Sequence, residues 1–158
     1  MWKRFSEQRS RFFERDLMRN FDPQQCLADI LSNLQEARGF LGDKTLDDLR
    51  SDGRTLDCMR LRMQFALETY WRIVCEKGEA GRANEIEARY PDVPWRRFRS
   101  LADTSRNDDK KMTAKFLWDI FKPGGIAALV EGAVQQELMQ SQIPSTVRKA
   151  SPSPSRRK

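Results

Sequence analysis

The sequence predicts an all-α protein that folds as an antiparallel helical bundle. Three observations indicate this fold class. Apolar residues recur at spacings of three and four along most of the chain, no segment keeps the alternation of a β-strand, and the prolines fall between the apolar stripes. At 158 residues with 39% hydrophobic content, the chain is long enough to bury one core.

The first twenty residues form a basic segment of their own. They carry six basic and three acidic side chains, with apolar residues at approximately helical spacing between them. We predict an additional amphipathic helix over residues 1–20. Such a helix can lie on a membrane or on nucleic acid, or it can pack on the bundle or on a second subunit, and we favour packing. Its apolar residues are Trp2, Phe5, Phe12, Phe13 and Leu17.

The bundle itself is predicted over residues 21–140. Its first helix begins with Asp22 as N-cap and Pro23 at the first helical position, and it ends at Gly42. A short capped helix is predicted over residues 45–50, and Asp52-Gly53 is predicted to form a turn. The buried face of the first helix consists of Leu27, Ile30, Leu31, Leu34, Ala37 and Leu41.

A central helix of about twenty residues is predicted from Thr55 to a stop near Lys77-Gly78, because apolar residues occupy more than one of its faces. Leu61 and Phe65 are expected to widen its buried stripe. Glu68 lies inside the pattern and must either face a rim or have a partner such as an arginine. The main stripe is Leu56, Met59, Met63, Ala66, Tyr70 and Ile73.

Three shorter stripes complete the bundle. Residues 79–90 are polar and could form a short helix, Pro91 and Pro94 break any continuation, and Trp95 restarts a helix. Residues 123–125 separate the next two apolar stripes from each other. These stripes consist of Phe116, Leu117, Ile120 and Phe121, and of Ile126, Leu129, Val130, Ala133, Val134 and Leu138.

Residues 141–158 are predicted to be a disordered basic Ser/Pro tail, because they have no apolar pattern that could offset the entropy of ordering. Residues 144–158 carry five basic and no acidic side chains. These charges either contact nucleic acid or an acidic partner non-specifically, or they aid solubility, which is the interpretation we favour. The whole chain has a net charge of +6, of which residues 1–20 carry +3 and residues 144–158 carry +5. Residues 21–143 therefore have a net charge of −2.

The composition excludes several classes of site. The chain has no histidine, which removes the commonest general base and metal ligand. Cys26, Cys58 and Cys75 are too far apart for a metal knuckle and are interpreted as buried thiols. We expect neither metal nor cofactor. No apolar run approaches the ~20 residues that cross a bilayer, and the N-terminus lacks the apolar stretch of a signal peptide, so we expect a cytoplasmic protein.

Three segments carry a resemblance to a known family: Asp29-Ile30-Leu31, Tyr90-Pro91-Asp92-Val93-Pro94-Trp95 and Phe116-Leu117-Trp118. Over residues 27–138 the chain resembles the HepT-like branch of the HEPN superfamily. The resemblance implies an all-α bundle that forms homodimers. Many members are ribonuclease toxins encoded beside a nucleotidyltransferase antitoxin, so a nucleotidyltransferase and RNA are the implied partners.

The family's catalytic pattern is an arginine, a histidine five positions later and a tyrosine two beyond. Aligning the arginine with Arg106 brings Lys111 to the histidine position and Thr113 to the tyrosine position. A register without gaps between Trp95 and Trp118 instead gives Ala102, Asn107 and Asp109. We favour the gapless register, because a four-residue slip would rotate a buried helix face by about 40° and shift it by about 6 Å. Both registers lose the histidine and the tyrosine, so we expect the family chemistry to be absent.

Basic side chains remain in this segment and, with Trp95 nearby, could hold an RNA backbone or a protein partner. The alternative is a solvated helix face with local ion pairs to Asp92, Asp103, Asp108 and Asp109. The candidate binding residues are Arg96, Arg97, Arg99, Arg106, Lys110 and Lys111.

Three functions follow from these observations. The first is a catalytically degenerate HepT-like module of a toxin–antitoxin type system that binds RNA or a partner. The second is an active endoribonuclease that uses a replacement set, Arg106 with Lys111 or Asp109. The third is a structural or regulatory scaffold that binds through its two basic ends.

Overall fold

The computed structural model describes residues 22–75, 80–107 and 111–142. These ranges contain helices and no strand, so the prediction of an all-α protein is confirmed. The predicted helix over residues 1–20 and the predicted tail after Gln142 lie outside the described residues. In chain order the helices are α1 (Pro23–Leu41), α2 (Leu46–Ser51), α3 (Gly53–Cys75), α4 (Ala80–Arg89), α5 (Trp95–Asn107), α6 (Ala114–Phe121) and α7 (Ile126–Ser141).

Local side-chain caps determine where α1 and α2 begin. The Asp22 carboxylate accepts a hydrogen bond from the Gln24 backbone N–H at 2.9 Å, and Pro23 occupies the first turn, as predicted. Thr45 and Asp48 form a capping box, in which the Thr45 N–H donates to the Asp48 carboxylate at 2.8 Å. Hydrogen bonds from the Thr45 backbone and side chain hold the pKa of Asp48 below its usual value.

The predicted turn at Asp52-Gly53 is wrong, because Gly53 is already the first residue of α3. The Asp52 carboxylate accepts hydrogen bonds from the Thr55 N–H at 3.0 Å and from the Thr55 hydroxyl at 2.7 Å. An aspartate in this position replaces the missing backbone acceptors of a first turn. The Asp-Gly pair therefore starts a helix here.

Helix α3 is the centre of the bundle, as predicted, and packs against α1, α2, α4, α5 and α6. Its core side is formed by residues that are essentially inaccessible to solvent, among them Met59, Met63 and Leu67. Leu61 and Phe65, however, are 48% and 43% exposed, so the prediction that they widen the buried stripe is wrong. The helices that surround α3 cover the side of Met59 and Met63 and leave this outer side open.

Among the described residues, Glu131 on α7 is a carboxylate buried between helices. Glu68, which the sequence placed at a rim or beside a partner, is half-buried and accepts a hydrogen bond from the Gln64 side chain at 3.3 Å. The Glu131 side chain is only 11% exposed and lies 2.8 Å from the Arg38 guanidinium of α1. Burial raises the pKa of Glu131, and the positive charge of Arg38 opposes that rise.

Helices α1 and α7 are antiparallel neighbours. Arg38 near the end of α1 pairs with Glu131 near the beginning of α7, and Gln24 at the beginning of α1 donates a hydrogen bond to the Ser141 hydroxyl at 3.0 Å. The beginning of α1 and the end of α7 therefore lie together. In the described parts of the chain, no helix combines the length and apolar character needed to cross a membrane.

The predicted interruption between the last two helices is confirmed, and glycine is required there. Gly124 has a φ of +73°, a conformation that L side chains rarely adopt. A Cβ added to Gly125 would lie 2.3 Å from the Ile120 carbonyl oxygen. The two glycines allow α7 to begin directly against the end of α6.

Candidate functional site

The Tyr90–Trp95 connection, which carries the most specific part of the family resemblance, is a structural turn between α4 and α5. The Val93 N–H donates to the Tyr90 carbonyl at 3.2 Å, and the Trp95 indole N–H donates to the same oxygen at 2.9 Å. Val93 and Trp95 are 8% and 5% exposed. Trp95 is therefore not available to stack on a nucleobase, which corrects the expectation that it would assist the neighbouring arginines.

An aromatic and polar cluster lies beneath this turn. The Tyr70 ring stacks on Trp95 with centroids 6.0 Å apart and meets Phe98 edge-on at 5.1 Å. The Tyr70 hydroxyl donates a hydrogen bond to Glu87 at 2.5 Å, and Arg99 lies 3.3 Å from the other oxygen of the same carboxylate. Burial, followed by the hydrogen bond and charge of Glu87, raises the pKa of Tyr70.

This cluster changes the interpretation of one candidate binding residue. Arg99 is half-buried, and its ion pair with Glu87 joins α5 to α4. A guanidinium held by an internal carboxylate has less attraction left for an external phosphate. Arg99 therefore contributes mainly to the fold.

Arg96 and Arg97 are the exposed candidates of the first turn of α5. Within the described residues, neither makes an ion pair with a carboxylate. They lie between the buried Trp95 and Phe98, and these two side chains fix the helix that presents them. The structure therefore leaves two adjacent guanidinium groups facing solvent at one end of α5.

A surface cavity of about 330 Å³ adjoins Arg97. Its opposite wall is the turn between α6 and α7, including Lys122, which the sequence analysis did not single out. The position of Lys122 beside the Pro-Gly-Gly turn is visible in the sequence. Its proximity to α5, however, depends on the fold. The cavity is lined by Pro94, Arg97, Asp119, Lys122, Gly124, Gly125, Ile126 and Leu129.

The charge of this cavity is positive on balance. Asp119 accepts hydrogen bonds from Lys115 at 2.8 Å and from Lys122 at 3.1 Å, and these bonds hold its pKa below the usual value. One carboxylate thus meets two lysines, with Arg97 as a further cation on the other wall. The lining residues alone carry two cations, Arg97 and Lys122, against one carboxylate, Asp119.

The residues proposed for a replacement nuclease site are described only in part. Arg106 and Asn107 lie in the last turn of α5, but their side chains, like all of Asp109 and Lys110, are outside the described residues. Lys111 is exposed, and its carbonyl accepts a hydrogen bond from the Thr113 N–H at 2.8 Å. The proposed grouping of Arg106, Lys111 and Asp109 therefore stays a prediction.

Ala102 bears on the gapless register, which aligns it with the family's arginine. It is 1% exposed and belongs to the core face of α5, together with Phe98 and Leu101. A guanidinium at this position would have to displace packed side chains. In this register, the position is a packing site.

No protein-family model matches the chain, and neither a curated protein nor a solved structure matches it significantly. In the described ranges, no three side chains of His, Cys, Asp or Glu are grouped so that they could hold a metal ion. The resemblance to the HepT-like family thus depends on the sequence segments quoted above.

Proposed function

We propose that the chain is a HepT-like protein without nuclease activity that binds the backbone of RNA through Arg96 and Arg97. The observation that carries this proposal is that both arginines are exposed, adjacent and without a carboxylate partner in the described residues. Lys122 adds a cation across the neighbouring cavity.

The absence of histidine supports the loss of catalysis. Cleavage through the ribose 2′-hydroxyl needs a group that exchanges protons near neutral pH, and the 158-residue chain contains no histidine. Lys111, which stands at the histidine position in one register, is exposed. Phosphate binding needs only fixed cations, and these remain.

The binding chemistry is that of guanidinium with phosphate. Arginine presents a planar set of N–H donors that matches two phosphate oxygens, and two neighbouring arginines can engage successive phosphates. Each phosphate contact on a single strand releases counterions, which lowers the slope of log K against log salt by about 0.7. The two contacts of Arg96 and Arg97 would contribute about −1.4 to this slope.

The test is the binding of a fluorescent single-stranded RNA of about 20 nucleotides, measured by anisotropy over a series of salt concentrations. The variant Arg96→Ala/Arg97→Ala should weaken binding at least about ten-fold and reduce the steepness of the salt dependence by about 1.4. The matched control is Arg50→Ala/Arg54→Ala, which removes the same charge from two exposed positions on α2 and α3.

The outcomes separate the alternatives. Equal losses in the two double variants would show that net charge rather than this site binds RNA. If the wild-type protein binds an acidic protein but no RNA, the ligand of this site is a protein rather than RNA. Robust RNA cleavage by the wild type, abolished by Lys111→Ala, would support the replacement nuclease site instead.

The family resemblance also motivates a nucleotidyltransferase partner and a homodimer. We include both in the proposal. Thr113 or Asp109 stands where the family has the tyrosine that accepts adenylate, so we expect no adenylation of this chain by such a partner. Light scattering measures the mass of the oligomer, and incubation with the nucleotidyltransferase and labelled ATP tests for transfer.

A further inference from the structure

The cavity beside Arg97 is a cleft between two parts of the chain that are distant in sequence. Pro94 and Arg97, at the beginning of α5, form one wall, and the turn between α6 and α7 forms the other. Ile126 and Leu129, in the first turn of α7, complete the lining. We call this space the α5–α7 cleft.

The wall opposite α5 is a tight turn that holds the backbone of Lys122 at both of its polar groups. The Lys122 N–H donates to the Trp118 carbonyl at 2.8 Å, and the Lys122 carbonyl accepts from the Gly125 N–H at 2.8 Å. Pro123 and Gly124, with a φ of +73°, occupy the two central positions, as in a type II turn. The Lys122 side chain therefore starts from a fixed point on the rim of the cleft.

The charged side chains of the cleft keep donors that no described carboxylate uses. One oxygen of Asp119 binds Lys115 and the other binds Lys122, so both oxygens of this carboxylate are engaged. The Lys122 ammonium has three donors, of which the bond to Asp119 takes one. Arg97 makes no ion pair with a carboxylate within the described residues. An anion in the cleft would thus meet donors from both walls.

The size and the apolar part of the cleft limit what this anion can be. A volume of about 330 Å³ is at the lower end of the ~300–1,000 Å³ of ligand pockets and equals roughly ten water molecules. Ile126 is buried, whereas Leu129 is 42% exposed at the rim, where it can contact a sugar or a base. The cleft therefore suits one phosphate with the nucleoside attached to it rather than several nucleotides.

We propose that the α5–α7 cleft binds a phosphate monoester at the end of an RNA strand, between Arg97 on one wall and Lys122 on the other. This assignment rests on the RNA binding proposed above. A terminal monoester carries about two negative charges at pH 7, whereas each internal phosphate carries about one, so a pair of cations matches the terminal group better. A strand end also enters from one side only, while an internal phosphate requires a path out of the cleft.

The test is a competition experiment with the full chain and the fluorescent RNA described above. The competitors are unlabelled RNAs of one sequence and about five nucleotides, which carry a 5′-phosphate, a 3′-phosphate or hydroxyl groups at both ends. One of the two phosphorylated strands should compete at least about five-fold better than the hydroxyl strand, because it gains charge-assisted hydrogen bonds from both walls. The better strand identifies which end enters the cleft.

Two variants, each with a matched control, locate this preference in the cleft. Lys122→Ala should reduce it to less than about two-fold, whereas Lys115→Ala, which also leaves Asp119 with one lysine but changes no lining residue, should retain it. Leu129→Glu places a carboxylate at the rim and should also abolish the preference. Met139→Glu is its control, since Met139 is an exposed residue of the same helix outside the lining.

The outcomes distinguish this assignment from the proposed RNA binding. Equal competition by all three strands, with binding that still depends on Arg96 and Arg97, would overturn the terminal-phosphate site and leave RNA binding in place. Equal effects of Lys115→Ala and Lys122→Ala would overturn it as well, because general charge would then explain the preference. If the chain binds no RNA, the strand end is refuted as ligand, and titration with adenosine 5′-monophosphate against adenosine shows whether Lys122 instead holds a free nucleotide.

Discussion

The indole N–H of Trp95 donates a hydrogen bond to the backbone carbonyl oxygen of Tyr90 at 2.9 Å. This bond closes the turn between α4 and α5 from inside the core, where Trp95 is 5% exposed. The same turn determines the direction in which α5 leaves and hence where Arg96 and Arg97 face solvent. Stability and the candidate binding site are therefore coupled at this residue.

Trp95→Phe should lower the free energy of unfolding by about 1–3 kcal/mol, because it removes one of the two donors to the Tyr90 carbonyl and leaves space in the core. Urea denaturation measures the change. The neighbouring exposed variant Arg96→Ala is the control and should stay within about 0.5 kcal/mol of the wild type. Equal stabilities of the two variants would show that the indole hydrogen bond contributes nothing.

Tyr70 should make the bundle sensitive to alkali. Its pKa is raised above the ordinary value of 10.0, mainly by burial and by Glu87. A group whose pKa is higher in the folded state contributes full stability below its unfolded pKa, and that contribution falls as the pH rises beyond it. Above pH 10 the free energy of unfolding, measured by urea denaturation, should fall faster for the wild type than for Tyr70→Phe, by up to about 1.4 kcal/mol per pH unit. Parallel curves for the two proteins would contradict this assignment.

Glu131 should make the free energy of unfolding depend on pH in the acidic range. Its pKa is raised above 4.5 by burial, against the opposing charge of Arg38. As for Tyr70, the pKa is higher in the folded state. The contribution of Glu131 to stability is therefore complete below about pH 4.5 and is lost as the pH rises through the folded pKa. Glu131→Gln should therefore gain stability relative to the wild type between pH 4.5 and 7. The exposed Glu85→Gln is the control, and a similar gain there would refute a specific role of burial.

Gly125→Ala should destabilise the protein by about 1–3 kcal/mol, because the new Cβ would meet the Ile120 carbonyl oxygen. Gly132→Ala is the matched control in the same helix, since nothing lies within 4 Å of its added Cβ. That control should gain about 0.5–1 kcal/mol from helix propensity. Thermal unfolding followed by circular dichroism separates the two, and a tolerated Gly125→Ala would mean that the end of α6 moves freely.

The helices and several of their caps could be predicted because they depend on local sequence. Asp22, Pro23 and Thr45 act on atoms within three residues of themselves, so their effect is visible in the sequence. The Asp52-Gly53 pair was misread because it has the composition of a turn, while the Asp52 carboxylate in fact caps α3 through Thr55.

The burial of individual side chains could not be predicted as well. Periodicity identifies the faces of α3, but it does not tell which face the neighbouring helices cover, so Leu61 and Phe65 were placed inside. Glu131 was missed because its partner, Arg38, belongs to a helix more than ninety positions earlier in the chain. The proximity of Arg97 to Lys122 depends in the same way on the fold.

The contact between Gln24 and Ser141 has an electrical consequence. Residues 1–20, with a net charge of +3, and residues 144–158, with +5, are both attached at this end of the molecule, while the body carries −2. The two like-charged segments therefore leave the body at neighbouring points, and added salt should weaken the repulsion between their charges.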